Sequence, residues 1–177
     1  MKKKYIISII IVIAIVFGIT QIDFSSTNQK NTDPNISIGK ASDQENAKKL
    51  SFTIDMTILK EDKYYNKLAS EYQKYVSEDG YLINNLSVEI TKDYTVSEVL
   101  DAIAKEQDIA IEYGSFDNFS YIKGINHISE KAIGDLSGWM YTINGEYPST
   151  GIDQTKLNDG DKIVFVYSSG EDMEGME

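Results

Sequence analysis

The sequence predicts an α+β fold, a small mixed sheet packed on one main helix. Three observations carry that expectation. Apolar residues alternate with polar ones at 52–58 and 86–90, a capping box at Thr95 and Glu98 opens a helix, and alternating strands return at 139–143 and 163–167.

The first strand places Phe52, Ile54, Met56 and Ile58 on one side and Thr53, Asp55 and Thr57 on the other, the period-2 pattern of a half-buried strand. Residues 62–77 then carry Tyr64, Leu68, Tyr72 and Tyr75 at steps of three to four, which suits a helical or turn-rich flank that ends before Gly80. Leu86, Val88 and Ile90 alternate as a second strand. Thr95 and Glu98 stand at the spacing of a capping box, and Val96, Val99, Leu100, Ile103 and Ala104 form an apolar stripe, so a helix is expected to run to about Gln107. Ile109, Ile111 and Tyr113 suggest a short strand, and residues 121–125 another.

Trp139, Tyr141 and Ile143 share one face of the next strand, and Asn144-Gly145 is a strong tight-turn signal because both positions tolerate positive φ. Glu146 and Tyr147 begin the return, followed by a loop at 148–151. After the Asn158-Asp159-Gly160 turn, Ile163, Phe165 and Tyr167 alternate with Val164 and Val166. Apolar residues on both faces place this last strand inside a sheet.

Lys2, Lys3 and Lys4 precede an uncharged apolar stretch at 5–22, the pattern of an export signal or a short membrane anchor, with the remainder of the chain outside the cytoplasm. Eighteen residues at about 1.5 Å each reach roughly 27 Å, close to the hydrocarbon thickness. The expected division is therefore a signal or anchor at 1–22, a flexible linker at 23–49 rich in small polar residues, a folded domain at 50–168, and an acidic disordered tail at 169–177.

Composition narrows the chemistry. The 177 residues include 28 acids against 17 basic residues, all Lys, for a net charge of −11. Such a chain repels phosphate backbones and has no basic stripe, so no nucleic-acid partner is expected. With no Cys and one His, His127, the chain lacks thiolate nucleophiles, disulfides and multi-histidine metal sites. No catalytic residue, metal site or required cofactor is expected.

The run from Ser137 through Trp139 and Asn144-Gly145 to Pro148, with Gly151 and the Lys156-Leu157-Asn158-Asp159-Gly160-Asp161-Lys162-Ile163 segment, resembles a bacterial extracellular family similar to the C-terminal domain of transcobalamin and intrinsic factor. Thr95-Val96-Ser97-Glu98-Val99-Leu100 and Tyr121-Ile122-Lys123-Gly124-Ile125-Asn126 fall where that family has its helix start and its strand before the Trp segment, and the resemblance spans about residues 48–168. It implies a β-grasp-like mixed sheet on a secreted or membrane-tethered protein at the outer face of a bacterial cytoplasmic membrane. It also implies a non-catalytic ligand-binding role, with cobalamin or another corrinoid as the bound ligand and a transporter or surface protein as partner. By the same resemblance the ligand meets the loop after the hairpin, Pro148, Ser149, Thr150 and Gly151, with Tyr147, Trp139 and Tyr121 as further contacts. The alternative is an interaction or adhesion module for a protein or glycan.

Each of these residues also has a structural reading. Burying an indole of ~150–250 Å² at ~25 cal/mol per Å² is worth up to roughly 4–6 kcal/mol, against about 0.5–1.5 for ring-stacking geometry, so Trp139 suits a core position as well as a ligand contact. His127 is read as a loop or packed imidazole rather than a metal ligand. Residues 158–161 are read as a tight turn, because the regular oxygens and distal Glu of a calcium loop are missing. Tyr113, Tyr141 and Tyr167 fall on apolar strand phases and are assigned to the core.

Overall fold

Among the described residues, eight strands and three helices surround a sheet whose middle is occupied by the first long strand and the last. The computed structural model describes residues 33–39 and 45–171. The expected signal or anchor at 1–22 lies outside the described residues, as does much of the expected linker. Among the described residues no helix is long and apolar enough to cross a membrane.

The main sheet has the order β1-β3-β2-β8-β7, formed by β1 (Ile36–Ile38), β2 (Lys48–Asp55), β3 (Tyr81–Ile90), β7 (Gly138–Ile143) and β8 (Lys162–Ser168). All its pairings are antiparallel except β2 with β8, which run parallel from Ser51↔Lys162 to Asp55↔Val166. The alternation explains the burial: Phe52, Ile54, Ile163, Phe165 and Tyr167 are at most 1 % exposed, and the rings of Phe52 and Phe165 stack at 6.3 Å. Each such side chain stabilises the fold by about 1.5–3 kcal/mol. A bulge interrupts β2 and β3 between the Phe52↔Leu86 and Ile54↔Ile83 pairs; there Asn85 takes φ 51° and its N–H donates to Thr53 Oγ1 at 3.1 Å.

Between β2 and β3 lie a 3-10 turn at Thr57–Lys60 and two single-turn helices, α1 (Asp62–Tyr65) and α2 (Ser70–Gln73). The 62–77 flank is thus turn-rich. Tyr64 and Leu68 are buried beneath it, whereas Tyr72 faces solvent. The expected main helix is α3 (Val96–Gln107). Thr95 Oγ1 accepts from Glu98 N, Glu98 Oε2 accepts from Thr95 N at 2.8 Å, and Asp108 ends the helix in the left-handed region. Its stripe Val96, Val99, Leu100, Ile103 and Ala104 is buried against the sheet core.

Three expectations are corrected. A second sheet accompanies the first, with β4 (Ile111–Phe116), β5 (Phe119–Ile125) and β6 (Ile128–Ser129) in antiparallel order. The Asp117-Asn118 turn, with Asp117 at φ 54°, turns β4 into β5. The 23–49 linker is interrupted by β1, which pairs Ile36↔Ile90 and buries Ile36, and β2 already begins at Lys48. The tail is ordered at its start: Ser169 and Gly170 are buried, and Glu171 accepts from the Tyr64 hydroxyl at 2.7 Å. Residues 172–177 lie outside the described residues.

The two sheets meet along β6 and the β7 edge. Trp139 Nε1–H donates to Ile128 O at 2.7 Å, and Tyr167 Oη–H donates to Ser129 O at 2.8 Å. Both carbonyls belong to the short strand β6, so two aromatic donors on the main sheet hold the hairpin sheet in place.

Candidate functional site

Where the β4–β5 hairpin leans past the β7 edge, the two sheets and the 147–152 loop enclose an open cleft of about 350 Å³. Trp139 and Tyr141 from β7 and Phe165 from β8 line its base. Phe116, Phe119 and Tyr121 from the hairpin form one side, and Tyr147 to Ile152 form the other. None of the lining residues is charged. An uncharged, aromatic-walled concavity with a few polar groups is the usual build of a small-molecule site.

The Asn144-Gly145 turn creates the loop. Both residues have positive φ, and Ile143 and Glu146 exchange two backbone hydrogen bonds of 2.9 and 3.0 Å across them. The return strand stops there, because β7 takes β8 as its ladder partner, and the chain is released into the 147–152 loop.

A dense set of hydrogen bonds then fixes the loop. Tyr141 Oη–H donates to Thr150 O at 2.8 Å and lies 2.9 Å from Thr155 Oγ1, which is 2.7 Å from Thr150 Oγ1. Gly151 O accepts from the N–H groups of Gln154 and Thr155, both at 3.0 Å, and from Thr155 Oγ1 at 2.9 Å. Ile152 N–H reaches Ser120 O on the hairpin. The carbonyls of Thr155 and Ile152 accept from Val96 N and Ser97 N, so first-turn donors of α3 are engaged by the loop. Burial raises the Tyr141 phenol above its ordinary value, partly offset by the Thr155 hydroxyl, which keeps this anchor neutral at physiological pH.

All seven residues singled out from the sequence line this one cleft, in different ways. Tyr121, Tyr147, Ser149 and Thr150 are exposed at the rim, and Pro148 is half-buried. Trp139 is 8 % exposed, its donor is engaged by Ile128 O, and its ring meets Tyr167 edge-on at 5.2 Å, so it is chiefly a packed base. Gly151 is buried by its own chain: a Cβ there would sit 2.6 Å from Asp153 Oδ1 and 3.1 Å from Ser120 O. Loop-to-strand packing alone therefore calls for the glycine.

Phe116, Phe119, Ser120 and Tyr141 were not singled out from the sequence. The Asp117-Asn118 turn between two Phe residues was the readable signal for the first two. Tyr113, assigned to the core, is instead 40 % exposed, and its hydroxyl donates to Asp101 on α3 at 2.5 Å. Desolvation first, and then that bond, push its phenol pKa upward.

His127 lies outside this cleft, at φ 67°, with its ring 4.3 Å from that of Tyr75. The 158–161 segment is a tight turn in which Asp161 accepts from Asn158 N at 2.7 Å and from Asn144 Nδ2 at 2.9 Å. Among the described residues no group of three or more His, Asp or Glu is placed to hold a metal ion.

Residues 93–169 match the family described as a domain of unknown function, DUF4430. The matched segment runs from just before α3 to the end of β8, so it contains every residue of the cleft. None of the curated proteins matches the chain. Among solved structures, the chain is similar to a protein from Ruminococcus gnavus ATCC 29149 described as a candidate metal-binding protein, at 16 % identity and a TM-score of 0.39, over 68 % of this chain and 96 % of that one.

Proposed function

We propose that this chain is a non-catalytic module that captures a soluble ligand in the aromatic cleft and works at the outer face of a bacterial membrane. The observation that carries the reading is the concavity beside 148–151. Its base is packed and hydrogen-bonded, its rim carries tyrosines, and none of its lining side chains is a charged group that could act as acid or base.

The order β3-β2-β8-β7, with β2 and β8 paired in parallel and α3 between the β2–β3 and β7–β8 pairs in sequence, supports a β-grasp-like fold. That agrees with the resemblance to the transcobalamin C-terminal domain and makes cobalamin or another corrinoid the first ligand to test. A corrinoid is much larger than the cleft, so one edge of it would enter and a partner surface, on a transporter or another surface protein, would cover the rest. The Lys-flanked apolar stretch at 5–22 supports display by an anchor or secretion after cleavage. The acidic net charge argues against nucleic acid.

Calorimetric or absorbance titration of residues 32–177 with cyanocobalamin and cobinamide tests the proposal. Saturable binding that weakens in Tyr147→Ala and Tyr121→Ala is the expected result. No binding of either corrinoid at hundreds of micromolar would remove the corrinoid while leaving the cleft for another guest.

One observation favours a second reading, a protein- or glycan-binding module. Phe116 is 78 % exposed beside the tip of the β4–β5 hairpin, with Phe119 at 40 %. Capture on a glycan array or by a surface protein, lost in Phe116→Ser and unaffected by corrinoids, would favour it.

A further inference from the structure

We infer that Asn144 is a modification site, an asparagine locked against deamidation while the fold holds its side chain and converted irreversibly to aspartate or isoaspartate once that hold is broken.

Asn144-Gly145 is the one Asn-Gly pair of the chain. The reaction is intramolecular. The Gly145 backbone nitrogen attacks Asn144 Cγ, the Cγ–Nδ2 bond breaks, and Nδ2 leaves as ammonia with the proton that Gly145 gives up. Water opens the resulting succinimide, at Cγ to give aspartate or at the main-chain carbonyl to give isoaspartate, and either product carries a new negative charge. Glycine hinders the attack least because it has no Cβ. Gly145 is exposed at φ 86°, and nothing lies within 4 Å of the place a Cβ would take, so the nucleophile is unshielded.

The fold controls the other partner of the reaction. Asn144 Nδ2 donates to Asp161 Oδ1 at 2.9 Å, Asn144 Oδ1 accepts from Lys162 N at 3.0 Å, and Asn144 N donates to Lys162 O at 2.9 Å. Asp161 is 7 % exposed and is itself fixed by Asn158 N, which donates to Oδ2 at 2.7 Å. Both ends of the amide are tied to the start of β8, and Cγ swings onto Gly145 N only when these bonds open. The related Asp159-Gly160 pair in the neighbouring turn is held on both sides: Asp159 Oδ1 accepts from Lys49 N at 2.7 Å, and Gly160 N donates to Lys49 O at 2.8 Å.

Conversion prevents the lock from closing again. An aspartate at 144 has no amide proton to offer, and it sets a second carboxylate oxygen where Nδ2 stood, 2.9 Å from Asp161 Oδ1. An isoaspartate lengthens the main chain inside a two-residue turn whose register Ile143 and Glu146 fix. A transient opening of the turn thereby becomes permanent, directly before the loop that begins at Tyr147.

Incubation of the full chain at mildly alkaline pH, followed by peptide mapping with mass spectrometry, tests this against the same chain in urea. Conversion at Asn144 is expected to be many-fold slower in the folded chain than in the unfolded one. Asp161→Ala, which removes the acceptor of Nδ2, is expected to convert severalfold faster than the parent under folding conditions. Where that variant fails to fold, the product mimic decides. Asn144→Asp is expected to melt several degrees below the parent, and combining it with Asp161→Asn, which puts the amide donor on the opposite side of the same bond, to recover most of the loss. Equal conversion rates in the folded and unfolded chain, or a double variant no more stable than Asn144→Asp alone, would overturn the assignment.

Discussion

The ring of Tyr121 lies across the backbone of Gly114, its cross-strand partner, so closely that a Cβ at 114 would sit 2.3 Å from the tyrosine Cζ. An aromatic ring covering a strand glycine shields the exposed backbone and fixes the ring's direction. Here it sets where the hairpin wall of the cleft stands.

Gly114→Ala is therefore expected to displace the Tyr121 ring and to destabilise the domain by about 1–3 kcal/mol, the usual cost of overpacking. Urea denaturation and the ring proton shifts of Tyr121 check it. Adding Tyr121→Ala should relieve the strain, so the double variant should lose less stability than the two single losses combined. Unchanged ring shifts in Gly114→Ala would refute the link.

Trp139→Phe removes the donor to Ile128 O and leaves a carbonyl inside the sheet-to-sheet seam without its partner. The expected loss is about 1–3 kcal/mol, a drop of several degrees in Tm for a domain of this size. Because Trp139 is the one Trp of the chain and touches the base of the cleft, its fluorescence should also report occupancy. A ligand that binds without altering that emission sits elsewhere.

Asp33 is held well below the usual carboxylate range, chiefly by the Tyr94 hydroxyl, which donates to Oδ2 at 2.5 Å, and then by the backbone and side-chain N–H groups of Asn35. A depressed folded-state pKa stabilises the fold above the unfolded value of about 4, and the contribution is lost as pH falls through the lower folded value. Acidification from pH 4 downward should therefore loosen the segment leading into β1. Tyr94→Phe should raise the Asp33 pKa, as followed by carboxyl ¹³C NMR. An Asp33 that titrates alike in both proteins would contradict this assignment.

Thr95→Ala should cost about 0.5–2 kcal/mol by removing the cap of α3. Since Val96 N and Ser97 N also hold the carbonyls of Thr155 and Ile152, the same change should speed amide exchange in the 152–155 loop. Exchange that quickens only within the helix would show that cap and loop are not coupled.

What could be read from the sequence follows from where local chemistry and tertiary packing agree. The Thr95–Glu98 box and the Asn144-Gly145 turn satisfy their own backbones, so they were legible without any neighbour. The alternation of β2 and β8 was legible because one core receives both. Ile36–Ile38 was not, since three residues in a polar stretch become a strand only when the edge of β3 accepts them. The same limit applied to the cleft. The 148–151 rim follows from the turn before it, but Phe116 and Phe119 reach the cleft only because two aromatic donors dock the hairpin sheet on β6. Tyr113 misled for a related reason: strand phase tells which residues share a face, not whether that face meets a core or an acid on the neighbouring helix.

The parallel pairing of β2 with β8 has a consequence for biogenesis. The sheet's interior stays vacant until β8 has been made, because the strand that fills it follows β2 only after β3 to β7 have been synthesised. Long-range closure of this kind is slow compared with the local β4–β5 hairpin and the capped α3. Until β8 arrives, one edge of β2 stays unpaired and the domain cannot close.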